Sequence, residues 1–330
     1  MREIRLRDIQ DAAASVYDLV VRTPLIRLDL PDDGARPPAA EIFLKLETLQ
    51  PIGSFKIRGA HNAVRQLPPD QLRDGVWTVS AGNAAQGVAL AARRAGVPCS
   101  VMIMDTAPAT KIDAITRLGA TIVRATYDEC WRTVEAHGSP RMKGSFVHPF
   151  DDDRFIAGNG TAGLEILEDL PDVDVIVGAI GGGGLLAGVA SAVKAIRPDV
   201  EIFAAEPETA APLDASFRRG AASRFDGWRP SFVDGAGGRS VLPGMWPLLR
   251  QLVTGSIVVP LTEIAAAMKL VADRSHVIAE GAAACAVAAA LTLRRTRERG
   301  RIAAVVSGGN IDLSTFASLV GACEEQHSSG

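Results

Sequence analysis

Between residues 76 and 148, short apolar runs alternate with longer segments whose apolar positions recur every three or four residues. Val76 to Ser80 is an apolar run of strand length. Gly82-Asn83 then open an alanine-rich segment that closes at Gly96, a glycine placed where a helix stops. Ser100 to Met104 predicts a second buried strand, and Ala107-Pro108 starts a helix that closes at Gly119. Ala120 to Ala125, Asp128 to Ala136 and Ser145 to His148 continue the alternation as strand, helix and strand. A second series follows. Thr161 to Leu170 predicts a helix, Asp174 to Ile180 a strand, Leu185 to Ile196 a helix and Glu201 to Ala205 a strand. Ile264 to Arg274 and Gly281 to Arg295 predict helices, and Arg301 to Ser307 a last strand. Strands that are apolar throughout and alternate with helices imply parallel sheets covered on both faces. The expectation is an α/β protein of two doubly wound parallel or mixed sheets, with its ligand crevice outside the carboxyl ends of the strands. Ala210 to Gly244, rich in Gly, Pro, Arg and Ser, is the expected long irregular segment, a kind that often carries function.

Composition narrows the class. A chain of 330 residues suits two domains. Hydrophobic residues at 47% and charged residues at 22% are ordinary globular usage and exclude a disordered or collagen-like chain. A net charge of −3 and a pI near 6.0 leave no basic footprint for nucleic acid, and 5% aromatics leave no stacking platform for single strands. The four cysteines, Cys99, Cys130, Cys285 and Cys323, are widely spaced and form no CxxC. They read as reduced thiols of a cytoplasmic protein rather than as zinc ligands or a disulfide framework. His61, His137, His276 and His327 show no metal-ligand spacing. Residues 1–8 lack the apolar stretch of a secretory signal, and the run from Ala282 to Leu293 is too short to span a bilayer. Neither a nucleic acid nor a membrane is an expected partner.

Four segments carry candidate chemistry. Gly181-Gly182-Gly183-Gly184 lies directly after a strand and before a helix, where successive N–H groups and the helix dipole favour a phosphate; a tight turn needs fewer glycines. The same region offers a rival. Gly182, Gly184 and Ala187 satisfy G-x-G-x-x-A, with Glu206 ending the next strand, the fingerprint of a nicotinamide-dependent oxidoreductase. In Gly53-Ser54-Phe55-Lys56-Ile57-Arg58-Gly59, a lysine among apolar neighbours can be desolvated and become a Schiff-base nucleophile, or can be a plain surface charge. Ser80-Ala81-Gly82-Asn83 sits at a strand end and helix start, and offers N–H groups to a carboxylate or simply an Asn cap. Ser307-Gly308-Gly309-Asn310, just past the last strand, is a further glycine turn on its own.

Taken together, these segments resemble one family. Leu44-Lys45-Leu46-Glu47-Thr48-Leu49-Gln50-Pro51-Ile52-Gly53-Ser54-Phe55-Lys56-Ile57-Arg58-Gly59-Ala60 is similar to the cofactor-lysine segment of fold-type II pyridoxal-phosphate enzymes, in the threonine/serine dehydratase and serine racemase branch. His148-Pro149-Phe150-Asp151-Asp152 and Ala157-Gly158-Asn159-Gly160-Thr161 also match that branch, and the likeness runs from Arg22-Thr23-Pro24-Leu25 to Asn310. The resemblance implies a tryptophan-synthase-β-like fold, with a large cofactor domain over 1–75 and 150–330 and a small α/β domain over 76–149. It implies that Lys56 binds pyridoxal 5′-phosphate covalently, Phe55 packs beside its ring, and Asn83 bonds its 3′-oxygen. Gly181, Gly182, Gly183, Gly184 and Leu185 would hold the phosphate, Ser307 the pyridine nitrogen, and Glu280 would lie near the cofactor. Ser80, Ala81, Gly82 and Asn83 would receive the substrate carboxylate. A neutral hydroxyl at the ring nitrogen makes a mild electron sink, which suits β-elimination.

Three positions depart from the pattern. Ala84 replaces the histidine usual after the loop asparagine. In Glu206-Pro207-Glu208-Thr209-Ala210-Ala211-Pro212, proline stands where the branch's cation site has an aspartate, which argues against a divalent cation. Arg239 lies in the glycine-rich stretch Asp234-Gly235-Ala236-Gly237-Gly238-Arg239-Ser240, where it either pairs with a second substrate carboxylate or faces solvent. The expected activity is dehydration and deamination of a small hydroxy-amino acid such as threonine, serine or 3-hydroxyaspartate, by a cytoplasmic homodimer with no appended regulatory domain. The alternatives are a racemase, the oxidoreductase, and a non-catalytic cofactor-binding protein. Racemases of this branch carry a serine proton donor at the position of Ala81. Ser80, one residue earlier on a strand, is expected to point to the other face.

Overall fold

The computed structural model describes residues 2–30, 40–297 and 299–327, the side chains of the last helix only as far as residue 322. The strands are β1 (Leu25–Arg27), β2 (Glu41–Leu46), β3 (Val76–Val79), β4 (Cys99–Met104) and β5 (Thr121–Ala125), then β6 (Ser145–Phe146), β7 (Val175–Ala179), β8 (Glu201–Pro207), β9 (Gly255–Val259) and β10 (Arg301–Val306). They form two sheets, one of six strands in the order β1-β2-β10-β7-β8-β9 and one of four in the order β5-β4-β3-β6. All pairings are parallel except β1 with β2. The α/β expectation therefore holds, with the smaller sheet drawn entirely from residues 76–146. The last strand is central: Ile302 of β10 lies opposite Ile42 of β2 on one side and Val175 of β7 on the other.

Helices cover both faces. Helix Gly281–Arg295 is buried continuously from Gly281 to Ala290. Its alanines suit both roles, since they are the best helix formers and let the helix lie close on the sheet. Helix Asn83–Ala95 stops at Gly96, in the left-handed conformation (φ 70°), as its position in the sequence implies.

The helix expected from Thr161 starts earlier. It runs Asp153–Asp169, and Asp152 caps it by accepting from the Phe155 N–H at 2.9 Å. Gly158, Gly160 and Gly163 of this helix serve close packing. A Cβ on Gly158 would sit 2.4 Å from the Arg58 carbonyl oxygen, and one on Gly163 2.8 Å from that of Val189. From the facing helix Gly184–Ile196, a Cβ on Gly188 would sit 2.3 Å from the Ile156 carbonyl oxygen. The segment from Ala210 to Gly244 is also more regular than expected, since it contains helix Pro212–Arg219 and a 3₁₀ turn at Asp234–Ala236. Strand β6 ends at Phe146, not His148, because the chain turns there: His148 Nδ1 accepts from the Asp151 N–H at 2.7 Å.

Helix Lys56–Arg65 lies between the sheets. Ala60, Ala63 and Val64 join the core of the small sheet, whereas Ile57 packs with Ala12, Val16 and Val20. Its Arg58 is fully buried, donating from Nε to Glu47 at 2.7 Å and from Nη1 to Glu165 at 2.7 Å; Lys45 pairs with Glu165 at 2.6 Å. Such a balanced buried network sets orientation more than net stability, because desolvation offsets much of the attraction. Here it orients the helix that begins with Lys56.

Candidate active site

Lys56 is held by the end of the last strand. The Phe55 N–H donates to the Ser307 carbonyl at 3.0 Å, the Gly309 N–H donates to that of Gly53 at 2.9 Å, and Ser54 pairs with Gly308 between them. Gly53 has φ 69°, and a Cβ there would lie 2.8 Å from Asn310 Oδ1, so glycine is required. Lys56 Nζ donates to the Pro149 carbonyl at 2.7 Å and lies 5.3 and 5.5 Å from the ring centres of Phe55 and Phe155. Burial among these groups lowers its pKa to about 8, with the Glu280 carboxylate acting in the opposite sense. The amine therefore gives up its proton far more readily than a surface lysine, as a Schiff-base nucleophile requires.

The glycine run follows β7 and enters helix Gly184–Ile196. Gly183 takes the left-handed conformation (φ 93°), and no side chain caps the helix. A Cβ on Gly182 would lie 2.1 Å from the Phe150 ring, one on Gly184 2.7 Å from the Phe150 carbonyl oxygen, and one on Gly181 2.7 Å from that of Gly235. The loop therefore presents bare backbone at a helix N-terminus, a cradle suited to a phosphate.

Asn83, Glu280 and Asn310 form a chain of hydrogen bonds. Asn83 Nδ2 donates to Glu280 Oε1 at 2.9 Å, and Asn310 Nδ2 donates to Asn83 Oδ1 at 2.7 Å. Burial first, then the nearby Asp234 charge, pushes Glu280 up to about 7. Beside them Ser80 Oγ accepts from the Gly82 N–H at 3.1 Å. Ser80 lines the same cavity as Ala81, contrary to strand alternation, because β3 ends at Val79 and the period of two ends with it.

Every residue that the resemblance assigns to cofactor or substrate, together with Arg239, meets at one cavity of about 520 Å³. Lys56, Phe55, Ser80, Ala81, Gly82, Asn83, Gly181, Gly182, Gly183, Gly184, Leu185, Arg239, Glu280 and Ser307 all line it. Sequence reasoning missed Lys111, Tyr127, Trp228 and the role of Asn310. Lys111 of helix Ala109–Arg117 forms an ion pair with Asp234, joining the two sheet units at the cavity. Arg239 stacks between two rings, its guanidinium carbon 3.9 Å from the Trp228 centre and 4.3 Å from that of Tyr127. Asn310 had a signal in the Ser307–Asn310 motif; the ring pair had none, because Tyr127 and Trp228 meet Arg239 only through the fold.

Two other groupings resolve differently. Glu206 is buried, and both its oxygens are engaged: Oε1 by the Leu213 N–H, Oε2 by the Asp214 N–H and Ser256 Oγ. It caps helix Pro212–Arg219 and so has no lone role as a ribose partner, which removes the support for the nicotinamide reading. His137, His148 and Asp151 converge in spite of their unpromising spacing. His148, however, uses Nδ1 to accept from the Asp151 N–H and Nε2 to donate to the Val134 carbonyl, while Asp151 pairs with Arg2. His327 and Cys323 lie outside the described side chains; Cys99, Cys130 and Cys285 are free and buried. Among the described residues, no helix is long and apolar enough to cross a membrane.

A buried lysine of lowered pKa and a bare glycine cradle on one cavity define a site for a phosphate-bearing aldehyde cofactor. Residues 16–308 match the family model described as pyridoxal-phosphate dependent enzyme, and the chain belongs to that family. It is 38% identical over 323 residues to the L-threonine ammonia-lyase of Thermotoga maritima, covering 96% of this chain and 78% of the relative. It is 33% identical to the serine racemase of Dictyostelium discoideum, covering 97% of this chain and 99% of that one. Among solved structures, maize serine racemase superposes with a TM-score of 0.86 at 34% identity, covering 99% and 100% of the two chains. The fold is that of fold-type II enzymes, and the cofactor is pyridoxal 5′-phosphate.

Proposed function

We propose that the protein is an ammonia-lyase that removes the β-hydroxyl of a small hydroxy-amino acid, such as serine, threonine or 3-hydroxyaspartate, yielding a 2-oxo acid and ammonia. The observation that carries this reading is the buried Lys56 amine, its pKa lowered to about 8, on the same cavity as the bare glycine loop. When bound, pyridoxal phosphate supplies an electron sink that acidifies the substrate's α-C–H bond. Lys56 would anchor it and would serve as the general base for the α-proton. Backbone N–H groups from Gly181 to Leu185 hold the phosphate. Asn83 bonds the 3′-oxygen, oriented by Glu280 and Asn310, and Phe55 packs beside the ring. Ser307 meets the ring nitrogen with a neutral hydroxyl, and Ser80 to Asn83 receive the substrate's α-carboxylate.

Elimination is favoured over inversion by Ala81. Inversion needs a second proton carrier at the position where racemases of the branch have a serine, and the Ala81 methyl group cannot be one. The reading extends to a small domain over 76–149, which the self-contained four-stranded sheet supports. It extends to a cytoplasmic location, supported by free buried thiols, and to a homodimer. The test is a panel of hydroxy-amino acids assayed for ammonia and 2-oxo acid. Release of both in equal amounts is expected, and no release from any member overturns the assignment.

A further inference from the structure

Arg239 is anchored on both sides. Its carbonyl accepts from the Phe225 N–H at 2.9 Å, Ser240 pairs with Arg224, and Trp228 Nε1 donates to the Gly237 carbonyl at 2.9 Å. The rings of Trp228 and Tyr127 stack on the guanidinium, which leaves its edge for hydrogen bonding. Among the described residues, no carboxylate pairs with it, and its Nε is shielded from solvent without a hydrogen-bond partner. The acids of the cavity have other partners: Glu280 accepts from Asn83, and Asp234 pairs with Lys111. Leaving out Lys56, the cofactor anchor, the cavity wall is still cationic in balance, with Lys111, Arg229 and Arg239 against Asp234 and Glu280. A stacked, preoriented guanidinium with no internal anion is built for a planar, bidentate partner brought by the ligand.

We infer that Arg239 is the receptor for a side-chain carboxylate, so that the substrate class is the acidic β-hydroxy-amino acids, of which 3-hydroxyaspartate is the smallest. This rests on the elimination reading above. The anion could instead be the cofactor phosphate, since Gly235 abuts Gly181 of the cradle. Preorientation by the two rings, with the phosphate already served by backbone N–H groups, favours the substrate.

The test uses the cofactor-loaded protein and begins with binding. L-Aspartate has the second carboxylate but no β-hydroxyl to lose, and 2-aminobutyrate has neither. Calorimetric titration is expected to show aspartate binding at least about 10-fold tighter, and Arg239→Leu to erase that preference. In turnover, the ratio of kcat/KM for 3-hydroxyaspartate to that for serine should fall by about 10²-fold in Arg239→Leu. Arg239→Lys, which keeps the charge without the fork, should fall less and is read if the leucine variant does not fold. A purely structural role in holding Trp228 to Tyr127 would leave both ratios unmoved. Equal binding of the two probes by the unmodified protein overturns the inference, as does an unchanged ratio with cofactor affinity reduced, which would assign Arg239 to the phosphate. Elimination of serine or threonine but never of 3-hydroxyaspartate refutes the inference and leaves the lyase reading standing; elimination of none refutes the lyase reading itself.

Discussion

Asn83 and Glu280 lie 197 residues apart in the chain and are joined by a hydrogen bond of 2.9 Å. Asn83 opens the helix that follows β3 of the small sheet, and Glu280 immediately precedes the long helix packed on the large one. With Asn310 donating to Asn83, the link ties the loop Ser80-Ala81-Gly82-Asn83 of one sheet to the ends of two elements of the other.

Glu280 makes this link pH-dependent. Burial raises its carboxyl from 4.5 to about 7, so folding takes up a proton between those values. The stability contributed by the neutral form is complete below pH 4.5 and is lost as pH rises through 7. Glu280→Gln keeps the hydrogen-bond acceptor and cannot ionise. In cofactor-free protein it should therefore gain roughly 2–3 kcal/mol relative to the natural chain between pH 4.5 and 7.5. Urea unfolding at the two pH values measures this, and an identical difference at both would contradict it.

Lys56→Ala should abolish covalent cofactor attachment and lower elimination by more than the ~10²–10⁴-fold of a lost general base, because anchor and base are one group. In the unmodified cofactor-free protein, acylation of Lys56 should rise with a midpoint near pH 8, against ~10.4 for surface lysines. Peptide mapping after a pH series reads both values. A midpoint shared with the surface lysines would refute the desolvation account.

Ala81→Ser should raise inversion relative to elimination by restoring a hydroxyl where racemases of the family carry one. The unmodified protein, given L-serine or L-threonine, should release 2-oxo acid without accumulating the α-epimer. Chiral chromatography of the residual substrate decides this, and rapid inversion by the unmodified protein would favour the racemase.

Gly188→Ala tests the helix contact. Its methyl would sit 2.3 Å from the Ile156 carbonyl oxygen, on backbone that cannot swing aside. A loss of about 3 kcal/mol is expected by equilibrium unfolding, as for an overpacked core. Gly96→Ala is a contrast: nothing crowds its Cβ, and only the strain of its left-handed backbone opposes the change.

The site was more legible in the sequence than the fold. Lys56, the glycine run and Ser307 sit at strand or helix ends, where local motifs carry the chemistry. Elements escaped where a local pattern misled. The glycines of 158–163 serve helix packing, and Lys45, wholly buried against Glu165, hides the apolar character of β2. Helix Lys56–Arg65 contains Arg58 and His61 on buried positions, so its apolar stripe is broken. The stacking of Arg239 was illegible because Trp228 faces it only once the segment between them folds back, Phe225 pairing with Arg239 and Arg224 with Ser240, and Tyr127 reaches it from the other sheet's unit.

The placing of β10 bears on biosynthesis. β2 reaches the rest of its sheet only through this strand, whose end also holds the backbone beside Lys56. As the chain leaves the ribosome, residues 76–146 can assemble the small sheet alone, whereas β1 and β2 must wait, unpaired at one edge, until residues 301–306 have been made. The reactive lysine is among the first groups translated and among the last to be seated, so a nascent or truncated chain carries the amine without the site that gives it a purpose.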